Sequence, residues 1–465
     1  MKLKRKHCMA EHPSSISDFG NAIRAKKFNI VEAVESRFSA IDKTNDELNI
    51  FLTLFQQQAE IKAKMLDREL FNGHDRGPLH GLPIAVKDVF AMSGYSPTAG
   101  SNGIIEFEHG SATVIERLEQ AGAIILGTLN LDEYAAGGTG TNAWHGRCKN
   151  PFDPSRITGG SSSGSAAAVS TGLCLTTLGS DAGGSIRIPA AFCGVFGLKP
   201  TYGRVSRFGA VPRTWSMDCI GPIANNIEDL GLILEVISGH DRLDATSSQQ
   251  EMFVWLEQRL ERQPRLALLS QPERYQKNLK QYRKTLLTFE SHDCKLIEIE
   301  ISKLKLYTEY HQRIVKSEAA AFHRKALTGE APALSFEAES VIKDGAEILA
   351  IDYLQALSER ENLLREFAQL VFADADVLVL PVSLEEAPYY QPITGKSSNE
   401  VDEEFFAASI FTRFANFLGL PAVTLPTGTG ENGMPTAVQV IAPPFKELMM
   451  LNLAIELQSK LAQAV

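Results

Sequence analysis

Two glycine loops that end in serines, and one lysine far upstream of them, are the residues of this sequence best suited to chemistry. Residues 157–189 read ITGGSSSGSAAAVSTGLCLTTLGSDAGGSIRIP. Gly159 and Gly160 open the first loop and lead to Ser161; Gly183 and Gly184 open the second and lead to Ser185, 24 positions further on (185 − 161). Glycine lets the backbone turn sharply and lets other atoms approach closely. A hydroxyl on an amide-rich turn suits nucleophilic catalysis, because backbone N–H groups there can receive a developing oxyanion. Serine near neutral pH needs a base, and Lys87 is the candidate. It closes the apolar run Ile84-Ala85-Val86, and a lysine in dry surroundings loses affinity for its proton.

Two rival motifs fail on context. Gly160 to Gly164 fits the G-x-S-x-G nucleophile elbow, with His240, His292, His311 or His323 as base. That elbow must follow a buried strand, and the upstream Asn150 to Arg156 is broken by prolines and polar residues. A phosphate cradle would want a lysine directly after its loop, and none follows Gly164.

These residues need elements to position them. Ser165 to Ser170 are small enough for a tightly packed helix, Leu173 to Leu178 read as a buried strand, and Ile84 to Val86 as the strand that carries Lys87. On the N-terminal side, Val31, Val34, Phe38 and Ile41 recur at steps of 3, 4 and 3, the spacing of one helix face, with Asn29 as N-cap. A second helix is expected from Gln56 to Leu70. Downstream, Ala112 to Gln120 is a helix and Ala123 to Leu126 a strand, and a helix spans Asn226 to Ser238. Arg265 to Leu269, Gln276 to Glu290 and Cys294 to Ile301 form a βαβ-like insertion. Ser317 to Phe372 is mostly helical, Asp376 to Pro381 is a buried strand, and Tyr389 to Glu404 is a polar loop fit to be a flap. Strands at Ala422 to Leu425 and Thr436 to Ile441 flank an Asn432-Gly433 turn, and a last helix runs from Leu448 to Leu461. Strands alternating with helices predict an α/β chain: one large α/β/α domain with a central mixed sheet covered by helices. Residues 1–70 form an N-terminal helical layer on the body, 71–465, in one compact unit.

The motif text resembles the amidase signature family of serine hydrolases. The matching pieces are Pro83 to Asp88 (PIAVKD), Asn150 to Arg156 (NPFDPSR), Gly159 to Ser162 (GGSS), Gly179 to Arg187 (GSDAGGSIR) and Cys193 to Ser206 (CGVFGLKPTYGRVS). The resemblance implies a Ser–cis-Ser–Lys triad: Ser185 as acylated nucleophile, Ser161 as bridging serine after a cis peptide, and Lys87 as base. Oxyanion donors are expected among the backbone N–H groups from Ala182 to Ser185, which makes Ala182, Gly183 and Gly184 substrate-binding residues. The resemblance also sets Tyr134 and Trp215 on substrate-side loops and has Ser162 help hold the lysine. Asp181 and Arg187 read as a supporting structural network. One position departs from the family: Ser163 stands where glycine is usual, and it carries strain if that position needs a positive φ.

The implied activity is hydrolysis of a small, non-peptide carboxylic amide to a carboxylate plus ammonia or an amine. It requires no cofactor, and no metal-ligand spacing is visible. The alternatives are the glutaminase (A-type) subunit of a tRNA-dependent amidotransferase, a ureido or carbamate hydrolase of the same family, and a catalytically silent relative. The text of Ser317 to Tyr390 looks more like stand-alone amidases. The expected partner is a small-molecule amide, with a homodimer possible.

Composition narrows the remaining classes. The 465 residues carry a net charge of −10, which argues against a general nucleic-acid surface. No apolar run approaches the roughly 20 residues of a membrane span. The basic opening, Met1 to Lys6, is followed by no apolar core and reads as a solvated tail. The six cysteines are scattered without a C-x-x-C pair and read as reduced thiols of a cytoplasmic protein.

Overall fold

The strands among the described residues join into one 11-stranded sheet, and helices cover it. The computed structural model describes residues 13–107, 110–257, 262–270, 279–331, 333–391 and 409–463. In chain order the strands are β1 (Phe51–Leu54), β2 (Pro83–Lys87), β3 (Ile124–Leu129), β4 (Thr176–Asp181), β5 (Phe196–Lys199), β6 (Cys219–Ala224), β7 (Arg265–Leu269), β8 (Lys295–Ile299), β9 (Val377–Pro381), β10 (Ala422–Thr429) and β11 (Pro435–Ile441). Their order across the sheet is β1-β3-β2-β4-β6-β5-β10-β11-β9-β7-β8. β2 runs parallel to β3 and β4, and β7 runs parallel to β8 and β9. The other pairs are antiparallel, so the sheet is mixed, as expected. β2 and β3 are buried at every residue. Their apolar runs show no alternation because helices cover both faces.

Local chemistry explains the helices. Ile30–Leu48 starts with a capping box: Glu32 N donates to Asn29 Oδ1 at 2.8 Å and Asn29 N donates to the Glu32 carboxylate at 2.9 Å. Val34, Phe38 and Ile41 then face the core, as their spacing predicts, whereas Val31 is half-buried against it and its neighbour Ile30 is the buried residue. Ile227–Ile237 begins behind Asn226, whose side chain accepts from Asp229 N at 2.7 Å.

Several boundaries differ from the sequence reading. The segment before residue 70 is not purely helical, since β1 pairs with β3 and makes it an edge of the main sheet. The strand expected at Leu173 to Leu178 runs instead from Thr176 to Asp181, so it delivers Asp181 directly to the second glycine loop. β5 and β6 have no sequence forecast. One is only four residues long, and the other carries Gly221-Pro222, a pair depleted in strands. β7 and β8 add to the end of the same sheet. The expected flap at Tyr389 to Glu404 lies, from residue 392 on, outside the described residues.

The sheet order is what positions the chemistry. β2 lies beside β4 in parallel, with Ala85 opposite Thr177 and Val86 opposite Leu178. Lys87 therefore leaves the sheet at the same edge as Ser180 and Asp181. The first serine loop closes on this edge because Gly179 has no side chain: a Cβ there would lie 2.8 Å from Ser162 Oγ.

Candidate active site

Lys87 is fully buried at the end of β2. Its Nζ lies 2.7 Å from Ser161 Oγ and 2.9 Å from Ser180 Oγ. Burial lowers its pKa from 10.5 to about 7, against the opposing pull of Asp132, Asp218 and Asp181. Near neutral pH the amine is thus available as a proton acceptor. The neighbouring Asp88 is engaged elsewhere and accepts from Tyr95 Oη at 2.6 Å and Thr98 N at 3.1 Å.

The first loop presents Ser161 through a cis Gly160–Ser161 peptide. Behind it runs the small-residue helix Ser163–Ser170. Ser163 is the first helical residue and is not at positive φ, so the strain considered for this position does not arise. Ser162 departs from its expected role. Its hydroxyl donates to the Ser180 carbonyl at 3.1 Å and accepts from Ser180 N at 3.3 Å, and its backbone N–H donates to Ser185 O at 3.1 Å. Ser162 therefore clamps the two loops together, and Ser180 supplies the second contact to the lysine. The β2–β4 register decides this, and nothing local in the sequence announces it.

The second loop is held from below by an ion pair with no solvent exposure. Asp181 accepts from Gly184 N at 2.8 Å, Ile186 N at 3.1 Å, Arg187 Nε at 3.0 Å and Asn416 Nδ2 at 2.9 Å. Arg187 also donates to Gln439 Oε1, Thr412 O and Asn416 Oδ1. Burial pushes the Asp181 carboxyl up, but the Arg187 guanidinium overrides it and holds the group well below the usual carboxylate range. The Gly184 amide is consequently committed to Asp181 and is not a free oxyanion donor. The N–H groups of Gly183 and Ser185 have no acceptor among the described residues.

Gly184 has φ +128°, and a Cβ there would meet Thr412 Oγ1 at 2.4 Å and Ile188 Cδ1 at 2.8 Å. Gly184→Ala is expected to lower stability by about 1–3 kcal/mol and activity by more than tenfold. Urea unfolding and an amide assay check this; a variant with unchanged activity would show that the loop tolerates repacking.

Ser185 is 7% exposed and opens onto a cavity whose walls include Ala182, Gly183, Arg213, His311, Lys316 and Arg413. Its hydroxyl makes no hydrogen bond to Ser161 in this structure, although the two loops are bonded through Ser162 N. Tyr134 and Trp215 are not among the walls of this cavity. The Tyr134 ring packs on His323, with centroids 4.2 Å apart. Trp215 is 41% exposed, and its carbonyl accepts from Tyr202 Oη at 2.9 Å and from Arg207. The cationic walls have no forecast in the sequence, and His311 enters the sequence reading only as a base of the rejected elbow motif. Arg213 precedes β6, Lys316 and His311 belong to the helix Leu304–Phe322, and Arg413 opens the helix Arg413–Phe417. No local motif links segments so far apart.

Among the described residues, no group of three His, Cys, Asp or Glu side chains could hold a metal ion. No described helix is long and apolar enough to cross a membrane.

A mixed α/β sheet that brings a buried lysine, a serine and two glycine loops to one edge defines an amide-hydrolysing enzyme of the serine type. Comparison with known proteins agrees. The sequence pattern of the Amidase family matches residues 32–451. The A-type subunit of the glutamyl-tRNA(Gln) amidotransferase of Koribacter versatilis is 34% identical over 477 aligned positions, covering 95% of this chain and 97% of that protein. A solved structure described as an amidase superposes with a TM-score of 0.85 at 30% identity, covering 97% of this chain and 99% of that one. A chain of a vestigial protein complex, reported to reveal the evolutionary origins of an s-triazine catabolic enzyme, gives 0.87 at 29% identity, covering 97% and 98%. This chain belongs to the amidase family.

Proposed function

We propose that the protein releases ammonia from a small carboxamide through an acyl-enzyme on Ser185, with Ser161 as proton relay and Lys87 as base. The observation that carries this reading is the buried Lys87 amine, 2.7 Å from Ser161 Oγ, with its pKa lowered to about 7. Neutral Lys87 takes the Ser161 proton while Ser161 takes that of Ser185. The Ser185 oxygen adds to the amide carbon, and the N–H groups of Gly183 and Ser185 receive the oxyanion. The proton returns through Ser161 to the departing nitrogen, ammonia leaves, and water then frees the carboxylate. Proton transfer of this kind typically supplies ~10²–10⁴-fold and each oxyanion donor ~10²–10³-fold.

Relatives at 31–34% identity that are A-type subunits of glutamyl-tRNA(Gln) amidotransferases favour the glutaminase reading over a stand-alone amidase. The positive charge that Arg213 and Arg413 bring to the walls, beside a Lys316 paired with Asp344 at 2.9 Å, favours a substrate that carries a carboxylate, as glutamine does. The solved structures described as an amidase and a peptide amidase support the second reading, an amidase that acts on another amide. Ammonia release decides between them. Glutamine, succinamate, benzamide and biuret should be assayed with wild type and Ser185→Ala, with and without a candidate partner protein. Turnover of an acidic amide lost in Ser185→Ala is expected. Turnover that survives in Ser185→Ala would end the acyl-enzyme reading, and glutamine turnover that appears only with a partner would select the amidotransferase role.

A further inference from the structure

The helix Leu304–Phe322 lays His311 against the second glycine loop. His311 Nε2 is 2.7 Å from the Ala182 carbonyl oxygen, and a Cβ on Gly183 would meet the ring at 3.0 Å. The residue is 4% exposed, and Nδ1 is buried without a hydrogen-bond partner. A carbonyl can only accept, so Nε2 carries the proton and Nδ1 the lone pair. A second proton would sit on a buried nitrogen with no acceptor, near Arg413 and Arg213. Burial, with those two cations, pushes the pKa down to about 3, so the ring is neutral throughout the working range. It is therefore a single, permanent hydrogen-bond donor and not a base.

A trans peptide is planar, with its C=O and N–H pointing in opposite directions. Holding the Ala182 carbonyl on the His311 side aims the Gly183 N–H the other way. The next peptide is pinned at both ends: Thr412 Oγ1 donates to Gly183 O at 2.6 Å, and Gly184 N donates to Asp181 at 2.8 Å. His311 is thus the side chain that sets the direction of one of the loop amides still able to receive an oxyanion. We propose that His311 is a positioning residue for catalysis, which acts through the Ala182–Gly183 peptide to hold the Gly183 N–H on the oxyanion and makes no contact with the reacting atoms. This inference rests on Ser185 being the nucleophile.

The test uses a fluorophosphonate probe, whose phosphorus bonds to the Ser185 oxygen as fluoride leaves and the serine proton passes to the relay. Its rate depends on the oxyanion donors and needs no knowledge of the natural amide. The label is first mapped in wild type: its absence from Ser185 would overturn the underlying reading and this inference with it. His311→Gln keeps an N–H at similar reach, whereas His311→Met keeps bulk without a donor. The Met variant is expected to label at least tenfold more slowly, and the Gln variant within about threefold of wild type. On whichever amide wild type turns over, the loss should fall on kcat with KM within about threefold. The pH profile should keep its shape, because the neutral ring supplies no titrating limb. A Gln variant slowed tenfold or more overturns the proposal whether or not the Met variant folds. A loss confined to KM, or a vanished pH limb, overturns it as well.

Discussion

Lys87→Met is expected to abolish amide hydrolysis, by about 10⁴-fold or more in kcat, and to make the folded protein more stable at neutral pH. The two effects share one cause. In the unfolded chain the lysine holds its proton up to about pH 10.5, whereas in the fold burial brings that value down to about 7. Between these values the unfolded state binds the extra proton, so the stability of wild type rises with pH across this window and is lowest at and below pH 7. The displaced protonation equilibrium destabilises wild type by on the order of 4 kcal/mol at pH 7.5, a penalty that methionine does not carry. The stability difference between variant and wild type should shrink by about 2–3 kcal/mol between pH 7.5 and 9.5. Paired urea melts at the two pH values measure it, since surface groups common to both proteins cancel. A pH-independent difference would show that the amine titrates normally. Wild-type activity should rise with pH through about 7 as Lys87 loses its proton, and a profile flat from pH 5 to 9 would remove it as the base.

The second large effect is on the fold. Arg187→Met is expected to destabilise the protein by about 3–5 kcal/mol, because it leaves Asp181 ionised and buried without its guanidinium partner. The loss reaches further than one ion pair. Arg187 also ties Gln439 on β11, Thr412 and Asn416 to the second loop. Apolar replacement of both partners will not restore stability, because the Asp181 carboxylate also accepts the Gly184 and Ile186 amides. Denaturant midpoints of Arg187→Met and of Arg187→Met/Asp181→Leu check this. A single-variant loss below about 1 kcal/mol, or a double variant as stable as wild type, would mean the network is dispensable.

Much of the local structure was legible in advance, and for identifiable reasons. Asn29 just ahead of the periodic apolar residues specifies an N-cap whatever the rest of the chain does, and the structure adds Glu32 to complete a capping box. The spacing of Val34, Phe38 and Ile41 needs only a helix and a core. The short, β-branched apolar runs of β3 and β9 fit buried strands by their length and composition. β5 and β6 escaped because short strands containing glycine and proline lack any periodic signal. Their pairing with β10 and β4 is what defines them.

The order of residues alone determined that this chain carries two serine-bearing glycine loops and a lysine at the end of a buried strand, because those features follow from local backbone and side-chain chemistry. Only the tertiary structure decided that Ser180 rather than Ser162 meets the lysine. It also decided that Asp181 takes the Gly184 amide and that His311 and three cations from distant segments wall the cavity. The reason is that strand register and helix docking bring together groups separated by tens to hundreds of residues, and no spacing within a single segment encodes those meetings.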